Sequence, residues 1–182
     1  MNRSSYSKVL VSVCLTWFAF TTSLYAVDDT SHLTPEEQKT IKIFQDLSWS
    51  VVHIRTSKLQ RDLFSLDINE AEAGSGSGFL WDERGHIVTN FHVIKGSNKV
   101  SVALKNGQSL KAKVVGIHPP KDIAILKIDL PKNFPGKPIS LANSSNLLVG
   151  QRSIAIGSPF GLDQTMTQGI VSGLGRSIPG IG

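Results

Sequence analysis

The strongest constraint in this sequence is a close-set series of short alternating segments between Gly76 and Ile128. They are 76–82 (GSGFLWD), 86–90 (HIVTN), 99–105 (KVSVALK), 108–117 (QSLKAKVVGI) and 123–128 (IAILKI). Apolar residues at a period near two, rich in Val and Ile, mark half-buried strands. Asp82-Glu83-Arg84-Gly85 and Asn106-Gly107 fall in the gaps. Both are turn signals, and Asn-Gly is a strong hairpin dipeptide. Ser48 to Thr56 (SWSVVHIRT) alternates too and adds a sixth strand. Six short antiparallel strands in about 80 residues predict a small closed barrel, because closure leaves no open edge.

The flanks are organised differently. Thr34-Pro35-Glu36-Glu37 combines a hydroxyl cap, a proline at the first helical position and a carboxylate three residues on. It predicts a short helix over 35–46 with Ile41, Phe44 and Leu47 on one side. Lys58 to Ala73 is polar, acidic and aperiodic, and is expected to be a long loop. Pro131 to Pro138 (PKNFPGKP) predicts a boundary between structural units. Beyond it, 151–157 (QRSIAIG) and 165–174 (TMTQGIVSGL) read as two more strands joined through a turn at Ser158-Pro159-Phe160-Gly161. The expected layout is an amino-terminal segment over 27–47, a first barrel over 48–130, a linker over 131–138 and part of a second barrel over 139–182.

The first 26 residues read as an address. Arg3 and Lys8 open it, Val9 to Phe20 is mostly apolar, and Ser23-Leu24-Tyr25-Ala26 precedes Asp28-Asp29. That order predicts a secretory signal cleaved after Ala26, with an apolar run short of the ~20 residues that cross a bilayer. The one cysteine, Cys14, lies inside it, which excludes a disulfide framework and a Cys-based zinc site. Charge is uneven, net −6 over 28–83 and +9 over 84–182. The basic half could suit a polyanion, but its lysines alternate with apolar residues, as in Lys111-Ala112-Lys113-Val114. That is the wet face of a strand, and no nucleic-acid partner is expected. His32, His53, His86 and His118 lack ligand spacing, and no Gly-rich stretch leads into a Lys-Ser/Thr phosphate loop. No metal and no cofactor are expected.

Two residues can carry chemistry. Thr89-Asn90-Phe91-His92 sets a histidine just past a strand end, and Lys121-Asp122-Ile123 sets a carboxylate at the head of the last barrel strand. A carboxylate fixes a histidine's tautomer and stabilises its cation, so the imidazole can act as general base. Spacing alone leaves a second reading open: a structural histidine and a turn-forming aspartate. His53 and His86 alternate with apolar neighbours and read as sheet residues.

Five motifs in order carry a resemblance. Gly74-Ser75-Gly76-Ser77-Gly78-Phe79, 85–93 (GHIVTNFHV), Asp122-Ile123-Ala124, 155–162 (AIGSPFGL) and 167–172 (TQGIVS) are similar to the HtrA/Deg (Do-like) trypsin-fold serine proteases, over about residues 74–176. The resemblance implies an all-β, trypsin-like double β-barrel with the first six-stranded barrel complete, the second truncated and a short amino-terminal helix. It implies His92 as general base, Asp122 as its orienting carboxylate, and 58–73 as the family's variable loop. The family's nucleophile is the Ser of a Gly-Asn-Ser-Gly-Gly motif, which does not occur in these 182 residues. The oxyanion donors belong to that same loop. Ser75 and Ser77 precede the base, and Ser158 is followed by Pro159, so none is expected to stand in.

The function implied is an exported serine endopeptidase that degrades misfolded polypeptides, with its nucleophile missing from this chain, which is expected to be inactive alone. The alternative is a non-catalytic pseudoprotease or chaperone-like binder of unfolded polypeptides. The resemblance further implies a homotrimer assembled partly through the amino-terminal segment. Its place would be the periplasm or an organelle lumen, with no membrane span after signal removal.

Overall fold

Strands β1 (Val51–Arg61), β2 (Ile68–Leu80), β3 (His86–Thr89), β4 (Lys99–Ala103), β5 (Ser109–His118) and β6 (Ile123–Lys127) close into a barrel in the order β1-β2-β3-β6-β5-β4. All of its pairings are antiparallel, as expected. This is seen in a computed structural model that describes residues 32–61, 68–159 and 164–176. Residues 1–26, expected to be a secretory signal, lie outside the described residues. Thr34–Gly182 forms one unit, to which everything below refers; of the other, Met1–Leu33, only His32 and Leu33 are described. Two further strands, β7 (Arg152–Gly157) and β8 (Thr165–Ile170), pair with each other in a separate sheet.

The core follows from the alternation. Val52 and Ile54 on β1, Leu80 on β2, Ile87 on β3, Val102 on β4 and Ala124 and Leu126 on β6 all point inward and are buried. Each large aliphatic side chain contributes about 1.5–3 kcal/mol on burial. The Asn106-Gly107 turn forms the expected hairpin in a variant form. Gly107 takes φ +82°, its N–H donates to the Leu104 carbonyl at 2.9 Å, and Asn106 keeps a negative φ. That is a type I turn followed by a left-handed glycine rather than a two-residue turn.

Three expectations are corrected. The loop over 58–73 is largely strand, because β1 continues to Arg61 and β2 starts at Ile68, with pairs from Ser57↔Glu72 to Arg61↔Ile68. Lys58, Leu59 and Glu72 there are exposed. With solvent on both faces, nothing forces the alternation that marks a strand in sequence. A register shift between Thr56 and Ser57 marks where this ribbon leaves the barrel. Residues 62–67 lie outside the described residues. Second, Ser48–Ser50 is a 3-10 turn rather than the start of β1. Its Ser50 is fully buried, donates to the Lys137 carbonyl at 2.6 Å and accepts from the Lys137 N–H at 3.0 Å. The 131–138 connector is thereby docked on the barrel. Third, β8 ends at Ile170 rather than 174.

The helix α1 (Pro35–Leu47) carries the expected capping box: Thr34 Oγ1 accepts from the Glu37 N–H at 3.3 Å, and Glu37 Oε2 accepts from the Thr34 N–H at 2.7 Å. Among the described residues no helix is long and apolar enough to cross a membrane.

Candidate active site

The site is built from the backbone that leaves β3. Asn90 is extended, and Phe91–Ile94 then make one helical turn, α2. Val93 and Ile94 are buried, while the His92 side chain is 69% exposed. The Gly-Ser-Gly-Ser-Gly repeat on β2 is what lets α2 sit so close. A Cβ added at Gly76 would lie 2.5 Å from Cγ2 of Val93, and one at Gly78 would lie 2.9 Å from side-chain carbons of Ile54 and Ile87. Thr56 Oγ1 donates to the Gly74 carbonyl at 2.9 Å, completing the seat.

Asp122 arrives from the opposite direction. Pro119–Lys121 form a 3-10 turn, and Asp122 caps it in the left-handed region (φ 51°, ψ 43°), with its N–H donating to the Pro119 carbonyl. It is the one non-glycine residue with positive φ among the described residues. Such a conformation costs about 1–3 kcal/mol, toward the low end for Asp, whose short polar side chain tolerates it. The strain turns the carboxylate back toward α2.

The structure brings His92 and Asp122 together. The His92 backbone N–H donates to Oδ1 of Asp122 at 2.8 Å, and its Nδ1–H donates to Oδ2 at 2.6 Å. Asn90 Nδ2 donates to both the Asp122 carbonyl and Oδ2 at 3.2 Å, and the Phe91 N–H donates to the same carbonyl at 3.1 Å. The bond from the His92 backbone N–H, then that from its ring, hold the Asp122 carboxyl below its ordinary pKa. An acceptor-only carboxylate on Nδ1 leaves Nε2 as the basic nitrogen. Among the described residues nothing bonds that nitrogen.

A second pair has nearly the same form. In the β2–β3 turn the His86 N–H donates to Oδ1 of Asp82 at 3.1 Å and its Nδ1–H to Oδ2 at 2.7 Å. Arg84 adds Nε and guanidinium contacts at 2.9 Å. The His86 side-chain bond, more than the others, drives the Asp82 carboxyl far below the usual range. His53, also a strand residue as expected, is buried and donates from Nδ1 to the Ser158 carbonyl at 2.8 Å, while the Ser158 N–H donates to Ser77 Oγ at 2.9 Å. Ser77 and Ser158 thus tie β7 to the barrel. Sequence reasoning missed Asn90, although an Asn two residues before the histidine of a strand–turn–helix was the available signal.

A cavity of about 200 Å³ is lined by Val51, Ser77, Phe79, Thr89, Asn90, Ile123 and Ile156 among others, reaching the chain neighbours of the pair but neither His92 nor Asp122. A larger groove of about 820 Å³, with Arg55, Thr56, Lys99 and Lys111 on its walls, likewise includes neither residue. The hydrogen-bond geometry, not the size of the hollow, locates the site.

A closed barrel with a histidine beyond its third strand and an aspartate ahead of its sixth defines a class, and residues 76–180 match the family described as "Trypsin-like peptidase domain". Protease Do-like 1, chloroplastic, of Arabidopsis thaliana is 47% identical over 156 residues, which is 86% of this chain and 35% of that protein. The probable periplasmic serine endoprotease DegP-like of Pseudomonas fluorescens is 49% identical over 104 residues, covering 57% of this chain and 21% of its own. The crystal structure of Deg5 superposes with a TM-score of 0.65 at 40% identity, over 81% of this chain and 68% of that one. The chain belongs to the trypsin-like peptidase family, in its HtrA/Deg branch. It spans 35% to 48% of the length of three Arabidopsis Do-like proteases.

Proposed function

We propose that this chain carries the base and the orienting carboxylate of a serine endopeptidase acting on unfolded or misfolded exported polypeptides. The supporting observation is the bond of His92 Nδ1–H to Asp122 at 2.6 Å, with Nε2 turned to an open surface. In this reading Nε2 of His92 takes the proton of an attacking serine hydroxyl, and Asp122 stabilises the imidazolium that forms. The 182 residues contain no Gly-Asn-Ser-Gly-Gly motif. The attacking hydroxyl and the oxyanion donors therefore come from outside them, and the 182 residues alone show no turnover. Export rests on the signal-like segment over 1–26 and on relatives named as periplasmic or chloroplastic. A homotrimer is carried over from the family.

A fluorescent casein assay tests this. The 182-residue chain gives no more turnover than its His92→Ala variant. Joined to a Do-like segment that contains the Gly-Asn-Ser-Gly-Gly motif, it gains turnover that His92→Ala abolishes. Turnover by the joined protein that survives His92→Ala would overturn the assignment. A second reading, a non-catalytic binder of unfolded chains, is favoured by Leu148, Val149 and Ile170, which are 70%, 62% and 61% exposed. Binding of unfolded casein unaffected by His92→Ala, with no turnover in the joined protein, would select it.

A further inference from the structure

We propose that Asn90 is a positioning residue for the His92–Asp122 pair: its side-chain amide holds Asp122 in the left-handed conformation and aims the carboxylate at the imidazole. The inference starts from a bond that Asn90 does not make. It stands at the N-cap of α2 with φ −81° and ψ 144°. An Asn side chain there ordinarily accepts from amides of its own helix. Asn90 makes no such bond. Its Nδ2 instead donates across to the Asp122 carbonyl and to Oδ2, both at 3.2 Å. Both partners only accept, so the amide's orientation is settled by them.

The two contacts grip both ends of a strained residue. A non-glycine in the left-handed region relaxes unless its surroundings over-determine it. The Asp122 carbonyl is held from the β3 side by Asn90 Nδ2 and the Phe91 N–H alone among the described residues. His92 reaches only the carboxylate. Without the amide, the Asp122 N–H keeps its bond to Pro119 and the carbonyl keeps only the Phe91 N–H, so the loosened residue relaxes toward an ordinary conformation and draws the carboxylate off Nδ1. The opposite reading also has a physical basis. Asn90 shares Oδ2 with the ring, so it could weaken the His92 bond by competing for the same oxygen. The two readings differ in sign.

The consequence for turnover rests on the proposed peptidase reading; the positioning itself does not, and it is read on the imidazole. The experiment is nitrogen-resolved NMR of the histidine rings in the full chain, for Asn90→Ala and for Asn90→Ser. Serine is itself a good N-cap but one bond shorter, so the start of α2 is not weakened while the long reach is lost. His86, paired to Asp82 and untouched by Asn90, serves as reference in the same spectrum. Loss of the exchange-protected Nδ1 proton of His92, with gain of the Nε2–H tautomer, is expected in both variants while His86 keeps its own. A His92 Nδ1 proton that persists or moves further downfield overturns the proposal. So does simultaneous loss of the His86 signal in both variants, which would show general unfolding. Absence of turnover in the joined protein would sink the peptidase reading and leave this titration-free measurement intact.

Discussion

Replacing Gly76 by Ala tests how packing inside the barrel places the histidine outside it. The new methyl would lie 2.5 and 3.0 Å from the two γ-carbons of Val93 and 3.4 Å from its Cβ. Ordinary carbon contacts sit at ~3.5–4.0 Å, so about 1 Å must be found. Val93 is buried and β-branched, and a β-branched side chain in a helix has one preferred rotamer, so it does not swing aside. The α2 backbone retreats instead and takes His92 with it. Overpacking of this size costs about 1–3 kcal/mol. Gly76 is not in the left-handed region. Alanine therefore also trims the unfolded chain's entropy, which offsets roughly 0.4–1 kcal/mol. The clash wins, by about 1–2 kcal/mol net, which lowers a urea midpoint by roughly 0.5–1 M at unchanged slope. Val93→Ala removes the opposing methyls. In the Gly76→Ala/Val93→Ala double variant the two losses should fall short of additive by about 1 kcal/mol. A Gly76→Ala protein as stable as the parent, or strict additivity in the cycle, would refute the claim that this glycine exists to seat α2.

Two further outcomes follow from the bonds described. Asp82 and Asp122 both have folded-state pKa values below their ordinary 3.8, so the stability they contribute is present above that value and is lost as pH falls through the folded ones. Urea titrations between about pH 4 and pH 2 should show that loss, and Asp82→Asn/Asp122→Asn should flatten it; an unchanged slope would contradict the assignment of these shifts. His53→Phe keeps the bulk but removes the donor to the Ser158 carbonyl, a bond between two residues that are 4% and 3% exposed. The loss is about 1–3 kcal/mol, read as hydrogen exchange roughly tenfold or more faster in β7 while β2–β6 are unmoved; uniform acceleration across both sheets would contradict it.

How far the sequence could be read depended on burial. The barrel strands were legible because one face is buried: Val52 and Ile54, Val100 and Val102, Ala124 and Leu126 recur at a period of two. The β1–β2 ribbon was not, because both of its faces are wet and its polar residues satisfy no period. Ser48 and Ser50 look like surface residues, yet both are fully buried, and the partner of Ser50 lies 87 positions away. His92 and Asp122 were nameable one at a time. What joins them is topology. β3 and β6 are antiparallel neighbours with Thr89 opposite Ala124, so the chain leaving β3 meets the chain entering β6. The intervening β4–β5 hairpin is only the path between them. The left-handed φ of Asp122 had no signal in the sequence, since Asp ahead of an apolar strand reads equally well as a simple turn.

The two histidine–aspartate pairs show why geometry must be weighed with surroundings. Both carboxylates accept one backbone N–H and one ring N–H from the same histidine, at 2.8 and 2.6 Å for Asp122 and at 3.1 and 2.7 Å for Asp82. Bond lengths alone do not separate them. Asp82 also accepts from Arg84, whose guanidinium already supplies a positive charge, and the four residues 82–85 close a turn on themselves. The His86 side chain is 23% exposed, against 69% for His92. The first pair is therefore satisfied within its own turn. In the second, a carboxylate from one strand junction is held in a strained conformation against a histidine from another, and the free ring nitrogen faces outward. Asp122 takes its left-handed conformation at the end of the Pro119–Lys121 turn, yet its carboxylate bonds a histidine outside that turn whose side chain is largely exposed, which a turn-stabilising role does not require. On that contrast His92 and Asp122, rather than His86 and Asp82, are the residues on which proton transfer is proposed.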